Sequence, residues 1–369
     1  MDVTMTSLKR WSLPPLAAFL FLSIVPTVTE VVDSMSDCDQ FLLEGTPPQV
    51  PGILEGGKIQ NQNRYKPICQ TFEDERRFVT LYDIKNKIPV FSAYKYRGGG
   101  GKRPVTRWRI EPQLEERNTD NMRDDAYRHQ AANNDYTKKG TGYNRGHLFP
   151  SSHALDESDR KSTFTLTNIV PQAVSFNGGS WANMESCMKC FLNKYCVNIN
   201  NATQGFVVTG AQPSQNNILN NRVNIPSMLW SAFCCYSNKR KMWLASAHWG
   251  NNVPEFGPQH LQTKTLAELH QELSTVDSRF EMFPRTQCPL HTTVAEFYPE
   301  INADNNCKCP PQASTTSTTS TTRVTTTTTT TTTRTTMKNN NSENEDDGQG
   351  GNQEGGGGAG IGGGAGIGD

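Results

Sequence analysis

Apolar and polar positions alternate along six stretches of the chain, and a period of two predicts β-strands at each. They are Phe78–Tyr82, Val90–Tyr96, Thr163–Val170, Phe206–Thr209, Met228–Tyr236 and Lys241–Ala247. Gly98 to Gly101 breaks the pattern as a turn or loop. Two stretches, Asp124–Asn133 and Thr263–Thr275, have helical character, and Leu266, Leu269 and Leu273 fall on one face of the second. This mixture predicts an α+β domain with antiparallel strand pairing, running from residue 38 to residue 311. No internal repeat is visible.

Both ends depart from that pattern. Lys9 and Arg10 precede an apolar run from Leu13 to Pro26, and small residues follow at Thr27 and Thr29. A basic start, a short apolar centre and a small-residue end read as a secretory signal peptide over residues 1–29. A signal anchor or a buried helix is the rival, but the run is shorter than the roughly 20 residues a spanning helix needs. No later segment is long and apolar enough to span a bilayer, so the expectation is a secreted, extracellular protein without a transmembrane segment. At the other end, residues 312–369 pass from a Thr and Ser tract (Ser314–Thr336) through a polar, acidic patch to a Gly-rich end. Such composition cannot bury a core and predicts a disordered stalk and tail, the Thr tract O-glycosylated.

Charge changes the picture little. Lys and Arg number 36 against 36 Asp and Glu, so no global positive field draws in nucleic acid, and any phosphate-binding surface must be local. Cysteine changes it more. Cys38, Cys69, Cys187, Cys190, Cys196, Cys234, Cys235, Cys288, Cys307 and Cys309 make an even count, which in a secreted chain implies a disulfide framework of open connectivity. A zinc site at Cys187, Cys190 and Cys196 is the rival, weakened by the lack of a second well-spaced pair. The sequons Asn201-Ala202-Thr203 and Asn340-Asn341-Ser342 predict exposed, glycosylated asparagines.

Hydrolysing a phosphodiester needs a base for water, a cation for developing charge, and donors that hold the phosphate. His147 titrates near neutral pH and can supply the base. Arg145 can grip a phosphate oxygen with its planar fork, and Gly146 between them suggests backbone geometry that other residues resist. Alone, such a triplet is an ordinary loop. Downstream, Asn177, Trp181 and Glu185 recur every four residues, so a helix starting near Asn177 would place them on one face. Asn177 would offer a neutral oxygen, and Glu185 an acid two turns deeper, to a hard cation that keeps its waters. The plainer reading makes Asn177 a helix cap and Trp181 core packing.

Three blocks then combine: Gly142-Tyr143-Asn144-Arg145-Gly146-His147-Leu148, Thr167-Asn168-Ile169 with Pro171-Gln172, and Asn177, Trp181 and Glu185 at their spacing. In order, spacing and type they resemble the DNA/RNA non-specific endonucleases, and the resemblance extends over about Cys38 to Cys309. It implies a ββα-metal nuclease fold, an antiparallel sheet flanked by helices and stapled by disulfides. It further implies His147 as general base, Asn177 as the sole protein ligand of hydrated Mg²⁺ (Mn²⁺ as a possible substitute) and Arg145 on the phosphate. Asn168 would support the site and Glu185 would orient a water. The substrate would be DNA, RNA or both, gripped by the sugar–phosphate backbone with little sequence preference.

Where the family has aspartate, this chain has Asn144, which removes a negative charge near the base. A second phosphate-binding arginine does not align cleanly; Arg107 is nearest, with Arg103 and Arg109 as rivals. His153 reads as a supporting residue or polar surface, His248 as structural, and Asp156, Glu157 and Asp159 as a solvated or capping turn. Two other classes compete with the enzyme: a weakened nuclease fold kept as an extracellular binding module, with Asn144 as the first sign of decay, and a mucin-like surface protein whose tail is the working part.

Overall fold

Strands rich in β-branched and aromatic residues build a six-stranded antiparallel sheet, seen here in a computed structural model that describes residues 30–115, 128–137, 140–303 and 306–310. The expected signal peptide, the stalk and tail, the Asn340 sequon and positions 124–127 of the first predicted helix lie outside the described residues. The strands are β1 (Tyr65–Phe72), β2 (Glu75–Asp83), β3 (Ile88–Tyr96), β6 (Gly205–Gln212), β7 (Met228–Ser237) and β8 (Met242–Asn251), in the order β8-β7-β6-β3-β2-β1. Between β3 and β6 the chain leaves the sheet and forms a separate hairpin of β4 (Tyr143–His147) and β5 (Ile169–Ala173).

Side-chain alternation sends one set of each strand to either face. On β7, Leu229, Phe233 and Cys235 join one core, while Met228, Trp230, Ala232 and Cys234 join the other. Both faces are therefore covered, each by a helix. Helix α2 (Ala182–Tyr195) lays Met188, Phe191 and Leu192 on the first; α3 (Leu266–Leu273) lays Leu266 and Leu269 on the second. The α3 start is closed reciprocally: the Glu268 N–H donates to Thr265 Oγ1 at 3.1 Å and the Thr265 N–H to Glu268 Oε2 at 2.8 Å. Pro67, which cannot donate to a ladder, sits on edge strand β1, where residues 30–32 cover it.

All ten cysteines are paired: Cys38–Cys69, Cys187–Cys309, Cys190–Cys307, Cys196–Cys235 and Cys234–Cys288. The zinc alternative is thereby excluded. Adjacent Cys234 and Cys235 bridge in different directions because neighbours on a strand face opposite sides. Helix α2 carries three of the five bridges, at Cys187, Cys190 and, just past its end, Cys196.

Two predicted elements are corrected. Thr163–Val170 is not one strand: it closes helix α1 (Glu157–Ser162), makes a 3₁₀ turn at Leu166–Asn168, and extends only from Ile169. Its threonines look strand-like but spend their hydroxyls locally, Thr165 with Thr167 at 3.1 Å, while Gln70 donates to Thr167 at 2.8 Å. Nor are residues 128–132 helical; only Asn133–Tyr136 makes a single turn. There the Gln130 amide pairs with both backbone groups of Glu111 at 2.8 Å, which ties the segment to that residue.

The hairpin is anchored at its far end by Asn252, just past β8. The buried amide accepts from the Ala173 N–H at 2.8 Å and donates to the carbonyls of Pro171 and Pro226 at 2.8 and 2.9 Å. Removing it strands three buried backbone groups. Asn252→Ala should therefore cost about 3 kcal/mol of unfolding free energy, measured by urea denaturation; a loss under about 1 kcal/mol would show that the anchor is dispensable.

Candidate active site

Antiparallel pairing of β4 with β5 sets Tyr143 opposite Ala173, Arg145 opposite Pro171 and His147 opposite Ile169. Alternation then puts Tyr143, Arg145 and His147 on one face and Asn144 on the other. The substituted acid position thus projects across the strand from the base. Gly146 lies between them for a steric reason. A Cβ there would meet Gln172 Oε1 at 2.1 Å, and Gly146 is not among the residues with positive φ. Its backbone is unexceptional, which corrects the expectation of unusual geometry.

His147 is buried against the rings of Trp108 and Phe164, with centroids 5.0 and 4.9 Å away. A two-residue link holds Trp108 there: the Arg109 N–H donates to the Phe164 carbonyl at 2.9 Å, and the Leu166 N–H to the Arg109 carbonyl at 2.8 Å. Burial, helped by the positive charge of Arg103, pushes the His147 imidazole down to about 3, so it is neutral at physiological pH. Among the described residues its Nε2 is buried without a hydrogen-bond partner. Arg145 is clamped with its guanidinium carbon 5.4 Å from the ring centroids of both Trp108 and Tyr136, and it donates to the Asn133 carbonyl at 3.3 Å.

Asn168 is wholly buried and fastens the base end of the hairpin. It accepts from the Phe149 N–H and donates to the carbonyls of Phe149 and Thr163, each at 3.0 Å. Of the three arginines weighed, Arg103 is the one whose charge bears on His147, with its guanidinium 4.9 Å over Phe164. Arg109 instead reaches Phe72 and the Lys161 carbonyl.

Beyond β5 the chain turns directly into the α2 region, but not as one regular helix. Asn177–Trp181 forms a π turn in which Gly179 leaves helical geometry (φ −102°, ψ −114°), and α2 proper starts at Ala182. The spacing of four keeps Trp181 and Glu185 on one face; Asn177 lies across the break, so α periodicity does not set its direction. Asn177 is half-buried and its side-chain amide makes no hydrogen bond among the described residues, so that side chain caps no helix. Trp181 is core, packed on Phe176 at 5.6 Å. Burial pushes the Glu185 carboxyl up to about 8, opposed by the nearby Trp181 indole.

One residue that holds this turn carried no sequence signal, because its partners are far away in the chain. Glu255 accepts from the Ser180 N–H at 3.0 Å and from the Ser180 hydroxyl, and its own N–H donates to Ser175 Oγ at 2.7 Å. It also explains Gly179, where a Cβ would meet Glu255 Oε2 at 2.5 Å. His153, a residue of open assignment, is buried: Tyr94 contacts Nδ1 at 2.8 Å and Nε2 meets the Glu185 carbonyl at 2.9 Å. It ties the loop after the base to the start of α2, and is not polar surface. His248 is likewise buried, within β8.

Among the described residues no cluster of three His, Cys, Asp or Glu side chains exists to cage a metal ion. A hard dication that retains most of its waters needs less, and the half-buried side-chain amide oxygen of Asn177 is a donor it accepts. An oxygen donor of this kind fits a hydrated divalent ion.

A model of the DNA/RNA non-specific endonuclease family matches residues 35–270. The human Endonuclease domain-containing 1 protein is 30% identical over 220 residues, covering 56% of this chain and 40% of that protein. Bovine mitochondrial Endonuclease G is 26% identical over 152 residues, 40% of this chain and 47% of its own. The match thus spans under half the length of either relative. A solved EndoG/EndoGI complex superposes with a TM-score of 0.46 at 16% identity, covering 59% of this chain and 88% of that one.

Burial lowers the folded-state value of His153 to about 4 from an ordinary 6.5. The unfolded chain therefore takes up the proton first. Stability is full above pH 6.5 and is lost as pH falls from there toward 4, by up to about 3 kcal/mol. His153→Gln, which keeps a donor and an acceptor, should make that stretch of a stability–pH curve shallower, the remaining slope coming from His147, His248 and His270, whose values burial also lowers; an unchanged slope would assign the acid loss to those three alone.

Proposed function

The chain belongs to the DNA/RNA non-specific endonuclease family, and from that premise we propose that it is a secreted, magnesium-dependent endonuclease that cleaves DNA, RNA or both with little sequence preference. The observation that carries the reading is a neutral imidazole on a hairpin face shared with a clamped arginine, whose second strand runs straight into the turn bearing Asn177.

In this reading His147 takes the proton of an attacking water. With Nε2 buried, Nδ1 is the nitrogen left to do so; burial keeps it unprotonated while also lowering its basicity. Arg145 presents its fork to a phosphate oxygen, pre-oriented by Trp108 and Tyr136, and Arg103 is the second cation on that side. Asn177 supplies the amide oxygen for the ion and Glu185 holds water beside it. A bound Mg²⁺ (or Mn²⁺) would neutralise charge developing on the leaving 3′ oxygen. Asn168 touches no substrate; it fixes the strand that carries His147. Because Asn144 projects from the opposite face, its missing charge need not weaken the base, which favours an active enzyme over a binding module.

Five disulfides in the described part suit an oxidising compartment, which supports export by residues 1–29. Among the described residues no helix is long and apolar enough to cross a membrane. Residues 38–311 would form the nuclease domain, and the expected stalk and tail, 312–369, lie outside the described residues. Asn201 is exposed in a tight turn with φ 58° and can accept a glycan there; Asn340 is the second proposed acceptor.

Plasmid nicking by the full chain tests this. Cleavage should require Mg²⁺ or Mn²⁺ and stop with EDTA. His147→Ala should lower the rate by about 10²-fold or more with little change in melting temperature. Wild-type rates from that variant would remove His147 from the chemistry.

A further inference from the structure

Phe256 is 89% exposed, a large apolar ring left in water beside the candidate site. Its backbone is not loose. Glu255, the preceding residue, is locked to Ser180 and Ser175 on the turn that carries Asn177. Asn252 ties the loop to β5 at one end, and at the other the Asn183 amide donates to the Gln259 carbonyl at 3.4 Å. Pro254 and Pro258 stiffen the segment between, and Gly257, at φ +81°, turns the chain immediately after the ring. Val253 and Val174, 54% and 49% exposed, are the neighbouring apolar groups on these two segments. Phe256 stacks on no ring and faces no cation among the described residues.

A braced loop that holds an aromatic ring in solvent has paid its ordering entropy before any ligand arrives. The surface it belongs to continues into the turn proposed to hold the ion at the scissile phosphate. Resting on that nuclease reading, we propose that Phe256 is a stacking platform for an unpaired nucleobase flanking the cleaved phosphate. Every base has a π-face, so such a contact adds affinity without sequence preference. Bases inside a duplex are already stacked, so the contact favours single strands, frayed ends and loops.

The test is binding, without turnover. Fluorescence anisotropy in EDTA would compare a labelled single-stranded oligonucleotide with an abasic strand of equal length and charge. Wild type should bind the base-containing strand more tightly. Phe256→Ala should weaken that binding about tenfold while leaving the abasic strand unchanged, and Phe256→Trp should restore it. Equal loss on both strands, or no loss on either, would overturn the stacking role. So would sedimentation showing a wild-type dimer that Phe256→Ala splits, since the ring would then cover a second copy. A wild type that binds neither strand would instead sink the nuclease reading, and this proposal with it.

Discussion

Among the described residues the hairpin that carries the candidate base belongs to no larger sheet, and two buried asparagines fix its position. Asn168 spends its amide on Phe149 and Thr163 at the His147 end, and Asn252 spends its own on Ala173, Pro171 and Pro226 at the other. An isolated two-stranded ribbon is marginal in water. These side chains stand in for the missing neighbouring strands, and their amides are costly to leave unpaired in the interior. The orientation of His147 and Arg145 relative to the sheet follows from them.

Opposite the hairpin, helix α2 is secured by covalent means. Bridges from Cys187 and Cys190 bring the segment around Cys307 and Cys309 onto it, and Cys196 joins its end to β7. Constraining the unfolded chain in this way compensates for what the site gives up in regular structure. The π turn at Asn177–Trp181 loses helical hydrogen bonding, and Glu255 restores part of it from a distant loop. His153 then couples the two halves by joining the loop after His147 to the Glu185 carbonyl. Irregular backbone is concentrated where the proposed chemistry lies, which is a usual place for it.

Most of the sheet was legible because its strands alternate apolar and polar residues, and α3 because its leucines share a face. The site was legible as far as short spacings carry: Arg145 with His147, then Trp181 with Glu185. The Asn177 spacing was misleading, since the π turn interrupts the helix that the spacing assumes. Gly146 was noticed for the wrong reason, because the crowding comes from Gln172 across the strand. Asn252 and Glu255 were invisible, their partners lying 26 to 81 residues away. Disulfide connectivity was equally hidden until strand alternation separated Cys234 from Cys235.

In the proposed site one amide, Asn177, holds a largely hydrated dication within reach of His147. A Mn²⁺-soaked crystal examined by anomalous scattering tests it most directly. A single strong peak is expected about 2.1 Å from Asn177 Oδ1, with every other ligand a water. A peak held by two or more carboxylates, or one away from Asn177, would contradict it.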